Sequence, residues 1–438
     1  MPKRIVIIGS GTAGASAAFS ARKTDRTAEI TIIDKESHST YSRCGLPFAI
    51  KGVINPIENL VVFQPKVFAS QKIIQKLSTE VTEINHQKHE ITYRNITSDE
   101  PGKVNYDSLI FATGSTPSKP PIAGIGGQNV FVLRTIDDAN NIVRSVKTVR
   151  SVVIVGASFI GLEVAEALKH LGLDVTVIEQ RYLLWRMLDK EISQMVRQRL
   201  EAAGIKLIED KNISDLNEYK NSMVVISTGV RPSVKLAKGI GVTIGLTGGI
   251  KVDKNLQTNL PNVYAVGDCA EAVSDLTGQP ITIGLGTIAA RQGVVAGANA
   301  AGKSETGPSI LYSSVLRLLD MEIGSVGVTE YGIQDTGYRN PVSALIKYPS
   351  LPYYYPGGTD VHIKLIADKA SNRIIGGQVL CKSGAALRVN MISLAIQNKM
   401  TIADILKGDF CYSPPVTDVW EPVMVAAQAI NTKLSKQI

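Results

Sequence analysis

The strongest constraint on this chain is a strand–glycine-loop–helix–strand signature that occurs twice. Residues 4–14 read Arg-Ile-Val-Ile-Ile-Gly-Ser-Gly-Thr-Ala-Gly, an apolar run entering Gly9-x-Gly11-x-x-Gly14, and an alanine-rich helical stretch follows at 15–22. A second apolar run, 30–33, ends on Asp34. Glycines at this spacing allow a tight turn and bring the backbone and the positive end of the helix against a pyrophosphate. An acid closing the second strand accepts hydrogen bonds from ribose hydroxyls. Dinucleotide contacts are therefore expected from Gly9, Gly11, Thr12, Ala13, Gly14, Asp34 and Lys35. The pattern returns as the apolar run 152–155, the loop Gly156-Ala157-Ser158-Phe159-Ile160-Gly161, a helical stretch 162–171, and a strand 175–178 ending on Glu179. Gly156, Ser158, Ile160, Gly161 and Glu179 are the expected contacts of this second loop. Ser158 replaces the middle glycine and crowds the turn. Glu179 bonds a 2′-hydroxyl and repels a 2′-phosphate, which favours NADH over NADPH, and Arg181 softens that preference.

Two dinucleotide units in one chain imply two cofactors, one held and one exchanged. The strand 109–111 runs into the turn Ala112-Thr113-Gly114, and 226–232 (Ile-Ser-Thr-Gly-Val-Arg-Pro) repeats that turn around Gly229. Residues 258–268 end in Tyr-Ala-Val-Gly267-Asp268, which is similar to the second FAD motif of two-dinucleotide flavoproteins. The expected organisation is α/β: an FAD domain from 1–113 and 250–305, an NAD(P)H domain from 114–249 between them, and an α+β domain from 306–438. In the last, strands are read at 326–328, 342–348, 360–368 and 374–380, and helices at 384–399 and 401–407.

The remaining chemistry centres on Tyr41-Ser42-Arg43-Cys44-Gly45-Leu46-Pro47-Phe48. The four cysteines (Cys44, Cys269, Cys381, Cys411) form no CxxC pair and no metal-ligand spacing. With the net charge at +8, nucleic acid, a membrane surface or a polyanionic small molecule are the partner classes to weigh. No basic run reaches five residues and aromatics are only 5%, which argues against a nucleic-acid platform. No apolar run is long enough for a bilayer, and the first strand starts too early for a leader, so a cytoplasmic location is expected.

On these residues the chain resembles the single-cysteine branch of the pyridine nucleotide-disulfide oxidoreductases, and most of all the coenzyme A disulfide reductases and NAD(P)H-dependent persulfide, polysulfide or sulfur reductases. The resemblance extends over nearly the whole chain. Its peroxidases and water-forming oxidases carry a histidine in the first glycine loop, where this chain has Thr12. Its coenzyme A and sulfur reductases carry two tyrosine motifs, matched here by Tyr354-Tyr355-Pro356-Gly357 and Tyr412-Ser413-Pro414-Pro415, the latter followed by Val419-Trp420-Glu421-Pro422. The resemblance implies tightly bound FAD, exchangeable NADH or NADPH, and hydride passing through FAD to Cys44. It implies a homodimer in which Tyr354 and Tyr412 reach the other subunit's cysteine. It also implies a small-molecule disulfide or persulfide as substrate, with coenzyme A as a possible ligand and no metal. Thr40 aligns with a substrate contact, and Arg22, Lys23, Arg43 and Lys72 are the basic residues expected near a phosphate-bearing substrate. Arg43 beside Cys44 is expected to stabilise a thiolate of lowered pKa. The alternatives are an oxidase reducing dioxygen and an electron-transfer module docking a small redox protein.

Overall fold

The computed structural model describes residues 1–282 and 284–436. Strand Arg4–Ile8 lies at the centre of a five-stranded parallel sheet, in the order Val263–Ala265, Ser108–Phe111, Arg4–Ile8, Glu29–Ile33, Ile73–Lys76. The central strands are mostly apolar because the sheet is covered on both faces, while the edge strand Ile73–Lys76 ends in Gln75 and Lys76. Helix Thr12–Thr24 packs there against helix Gly286–Ala300. The second fingerprint builds the same sheet again, with Ser151–Val155 at the centre. Asp174–Ile178 and Lys206–Ile208 lie to one side, Met223–Ile226 and Val130–Val132 to the other. The outermost strand follows its unit in the chain in the first case and precedes it in the second.

The chain crosses between the units through two short strands, Ser115–Pro117 and Val230–Pro232, paired antiparallel. Beyond the crossing, Leu236, Ala237, Ile240 and Val242 pack on Val6, Ile8 and Ile33 of the first sheet. The return to the first unit thus comes well before residue 250, because the turn at Gly229 sits at the crossing.

The third unit is an antiparallel sheet ordered Ser314–Leu318, Met321–Gly327, Ile374–Cys381, Asp360–Asp368, Pro341–Pro349. Helices Ala385–Gln397 and Pro422–Ser435 cover one face. The expected strands are all present, the first of them longer. The strand Ser314–Leu318 and the final helix were not anticipated, although Pro422 stands at a first-turn position where proline's missing N–H costs nothing.

One apolar cluster joins the units. It holds Tyr41, Leu46, Ile50 and Leu60 from the cysteine segment, Leu162 and Ala165 from the second fingerprint helix, and Leu316, Leu318 and Ile323 from the third sheet. Cys44 is therefore carried on a segment clamped where all three units meet.

Candidate active site

The two glycine loops agree down to individual hydrogen bonds. Gly9 has φ +108° and Gly156 has φ +104°. A Cβ at Gly9 would run into the Ala112 carbonyl oxygen, and one at Gly156 into the Ser227 carbonyl oxygen, so both strain and space demand glycine. Asp34 accepts from Ser10 N at 2.5 Å and from Glu36 N at 2.9 Å. Glu179 accepts from Ala157 N at 2.7 Å and from Arg181 N at 3.2 Å. Each acid thus closes its own loop with one N–H from the loop and one from two residues beyond itself. Carboxylate oxygens retain further lone pairs for ribose hydroxyls.

The loops also fit their ligands chemically. Space is open on the Gly11 side, where a Cβ would meet nothing within 4 Å. Helix Thr12–Thr24 has no side-chain cap, which leaves its first-turn N–H groups for an anion. Ser158 accommodates its loop by turning back: its hydroxyl lies 2.8 Å from Ser227 Oγ and 3.1 Å from Ser227 O. Ile160, just past it, is exposed on the second helix. Lys35 and Glu36, beyond Asp34, line a cleft of about 370 Å³ with Ser78, Thr97, Thr135 and Asp137.

The turn at Gly267 lies against the first helix and is bonded to the strand that follows the turn 112–114. Gly267 has φ +70°, lies against Ala13, and donates to Gln292 Oε1 at 2.8 Å. Asp268 accepts from Ser115 Oγ at 2.9 Å and from Arg134 Nη2 at 3.1 Å. Thr113 Oγ1 donates to Ser233 O at 2.7 Å, and Gly114 O accepts from Ser233 N at 2.9 Å. The residues present fit FAD in the first unit and NAD(P)H in the second.

Cys44 lies in the single turn Arg43–Gly45 and is solvent-accessible. The expectation of a lowered thiol pKa is corrected. Surrounding protein pushes the thiol up, mainly by burial and then through the negative charges of Glu163 and Asp268. The cation that opposes them is Arg134, not Arg43. Arg43 is committed elsewhere: it pairs with Glu36 at 2.7 Å, donates to Tyr41 Oη at 2.7 Å, and holds Arg134 O at 2.9 Å. Its part is to tie residue 134 to the cysteine segment.

Arg134 and Glu163 were missed in the sequence. Glu163, on the second fingerprint helix Phe159–His170, borders Pro47, Phe48 and Lys51 just after the cysteine. Burial, with Glu166 next, pushes its carboxyl up to about 7. The only available signal was its spacing from Gly161, which does not identify a partner.

The residues expected to meet substrate separate into groups. Thr40 turns inward, 4% exposed, and its hydroxyl donates to Ser10 O at 2.7 Å. Arg22 donates to Gln71 O at 2.8 Å, Lys72 O at 2.9 Å and Arg26 O at 2.9 Å, stapling 22 to 72. Lys23 and Lys72 are exposed beside it. Tyr354 and Tyr412, far apart in sequence, are brought together: their hydroxyls lie 2.7 Å apart, and the two residues are 58% and 44% exposed.

A fold of two dinucleotide units and an antiparallel third unit, with a cysteine at their junction, defines a two-cofactor oxidoreductase. The chain belongs to the pyridine nucleotide-disulphide oxidoreductases, whose family profile matches residues 3–293, with the family's dimerisation domain matching 314–423. It is 36% identical to an NADH oxidase of Methanocaldococcus jannaschii over 99% of this chain and 100% of that one. It is 33% identical to an NAD(P)H coenzyme A polysulfide/persulfide reductase of Pyrococcus horikoshii, covering 98% of this chain and 99% of that one. Among solved structures, an NAD-dependent persulfide reductase from A. fulgidus superposes with a TM-score of 0.95 at 31% identity, over 99% of this chain and 84% of that one. No helix among the described residues is long and apolar enough to cross a membrane.

Proposed function

We propose that this protein is an NAD(P)H-dependent reductase of coenzyme A disulfide or a related persulfide or polysulfide, acting through Cys44. The observation that carries this reading is the placement of one lone thiol where both dinucleotide units and the third unit meet, with Asp268 and Arg134 beside it. FAD, when bound, supplies a two-electron relay between nicotinamide and sulfur. The balance is NAD(P)H + H⁺ + RSSR → NAD(P)⁺ + 2 RSH. The first loop with Asp34 and Asp268 holds FAD, and the second loop with Glu179 holds the pyridine nucleotide, NADH in preference.

Cys44 carries the substrate sulfur as a mixed disulfide or persulfide and leaves as a thiolate when that bond is reduced. Arg134 offsets part of the negative field of Glu163 and Asp268 at that moment. Glu163 holds or releases a proton near neutral pH, which makes it the group on this chain placed to balance charge beside the thiol. Tyr354 and Tyr412 form a hydrogen-bonded pair that, in a homodimer, protonates the departing thiolate at the partner's cysteine. Lys23 and Lys72, above the Arg22 staple, meet the substrate's phosphates. Four unpaired cysteines suit a reducing, cytoplasmic setting.

The test is anaerobic NADH-dependent turnover with coenzyme A disulfide, coenzyme A persulfide and polysulfide, comparing the parent with Cys44→Ser. We expect the variant to lose at least about 100-fold in rate. Full sulfur-reducing turnover by Cys44→Ser would end this reading. The similarity to an NADH oxidase supports a second reading, direct reduction of dioxygen. Oxygen consumption several-fold faster than sulfur turnover, and unaffected by Cys44→Ser, would favour it.

A further inference from the structure

A cluster just past Glu179 is not used by the reaction above. Arg181 lays its guanidinium over the indole of Trp185, 4.2 Å from Cζ to the ring centroid, and over Tyr331 at 5.2 Å. It also donates a hydrogen bond to the Tyr331 hydroxyl. Trp185 and Tyr331 meet edge to face at 5.7 Å, and Arg186 lies 4.9 Å from the indole centroid. Tyr331 belongs to the third unit and is held in place: Asp189 Oδ1 accepts from Glu330 N at 2.9 Å and from Tyr331 N at 3.4 Å. The backbone N–H of Arg181, meanwhile, completes the cradle of Glu179. One residue thus has its main chain hydrogen-bonded to Glu179 and its exposed side chain stacked on two aromatic rings, one of them from another unit.

An arginine near the end of that strand is the residue type that pairs with a 2′-phosphate, through charge-assisted and often bidentate hydrogen bonds. Stacked on Trp185 and hydrogen-bonded to the Tyr331 hydroxyl, its guanidinium has one N–H already engaged, which a bidentate phosphate contact must displace. We propose that Tyr331 and Trp185 latch Arg181, and that this latch, together with Glu179, sets the nucleotide preference by withholding the cation a 2′-phosphate needs. Tyr331 is then a specificity-determining residue that acts through Arg181. The inference rests on the NADH preference proposed above.

The test uses the FAD-loaded full-length protein and calorimetric dissociation constants for NAD⁺ and NADP⁺, which bind without delivering hydride. Taking Tyr331 out of the latch in Tyr331→Ala should tighten NADP⁺ about fivefold and leave NAD⁺ within about twofold. Tyr331→Phe, which keeps the ring and loses the acceptor, should give about a twofold gain and guards against a folding defect in the alanine variant. Arg181→Ala alone should leave NADP⁺ binding unchanged, and added to Tyr331→Ala it should cancel the gain. An unchanged NADP⁺/NAD⁺ ratio in both Tyr331 variants overturns the latch. So does a large loss of NADP⁺ binding in Arg181→Ala alone, because the cation would then already be engaged. Equal affinities in the parent would overturn the Glu179 preference instead, which keeps the two failures distinct.

Discussion

A thiol that attacks disulfides gains from being charged, yet Cys44 sits where charge is disfavoured. Burial, Glu163 and Asp268 all push it up, against the positive charge of Arg134 and a backbone hydrogen bond at Cys44. The field is also pH-dependent, because Glu163 ionises near 7. Glu163→Gln removes a negative charge beside the sulfur, so the pH profile of Cys44 alkylation should move to lower pH, with a rate at pH 8 about three to five times the parent's. Superimposable profiles, read by mass spectrometry of the modified cysteine, would break the link between the two residues. The same substitution should stabilise the protein at pH 8. A carboxyl whose folded pKa lies above its ordinary value makes the folded state bind protons more tightly, so stability falls as pH rises from about 4.5 toward about 7. Allowing for partial exposure, the gain is about 1–2 kcal/mol by denaturant unfolding, and none is expected below pH 4. At this scale the sequence drew attention to Cys44 and Asp268 but not to Arg134 or Glu163, the other charges around the thiol. Arg43 adjoins Cys44 in the chain but points to Glu36, while Arg134 reaches the site from far away in sequence.

At the level of elements, the periodic and glycine-marked pieces were readable and the irregular ones were not. Both fingerprint units appear with their acids in place, because their signal lies in short-range spacing that backbone geometry enforces. The antiparallel sheet Thr79–Asn85, Glu90–Asn95, Pro101–Asn105 was missed. Its first strand carries a register shift between Val81 and Glu83, which disrupts the two-residue alternation by which strands are recognised. A different close approach seats the first helix. A Cβ at Gly297 of helix Gly286–Ala300 would strike the Ala17 backbone of helix Thr12–Thr24. Gly297→Val should therefore push that helix and its glycine loop off their seat. The expected cost is about 2–3 kcal/mol of stability, with loss of FAD from the purified protein measured by its visible absorbance. A variant with full flavin content and parental stability would show that the two helices do not position the loop.

Across the whole molecule, the information that sequence patterns lack concerns which unit covers which face. The strand Asp360–Asp368 alternates, with Val361, Ile363, Leu365 and Ala367 packed into the third unit's core, so Lys364 reads as a solvent-facing lysine. It is instead 1% exposed, because the second unit lies on that face. Its ammonium reaches Glu330 at 2.7 Å, Glu191 at 3.1 Å and Asp189 at 3.2 Å. Asp189 is held in turn by Gln378, whose Nε2 donates at 2.7 Å and whose Oε1 accepts from Asp189 N at 2.8 Å. Asp189 and Glu191 belong to the second unit and the others to the third, so one lysine bonds the nucleotide-binding unit to the dimerisation domain. Lys364→Met keeps the aliphatic volume but strips the cation from three carboxylates, one of them buried. Removing one partner of a buried ionic cluster costs about 3–5 kcal/mol, since the remaining charge is left without compensation. Because the cluster spans an inter-unit contact, the loss should be uneven. Hydrogen exchange should quicken at 187–191 and 328–333, where the two units touch, while the first sheet keeps its protection. Asp189 also positions Tyr331, so the same variant should loosen the Arg181 latch and raise the relative affinity for NADP⁺ in the direction expected of Tyr331→Ala. Uniformly faster exchange over all three units would mean that Lys364 supports global stability and does not join one unit to another.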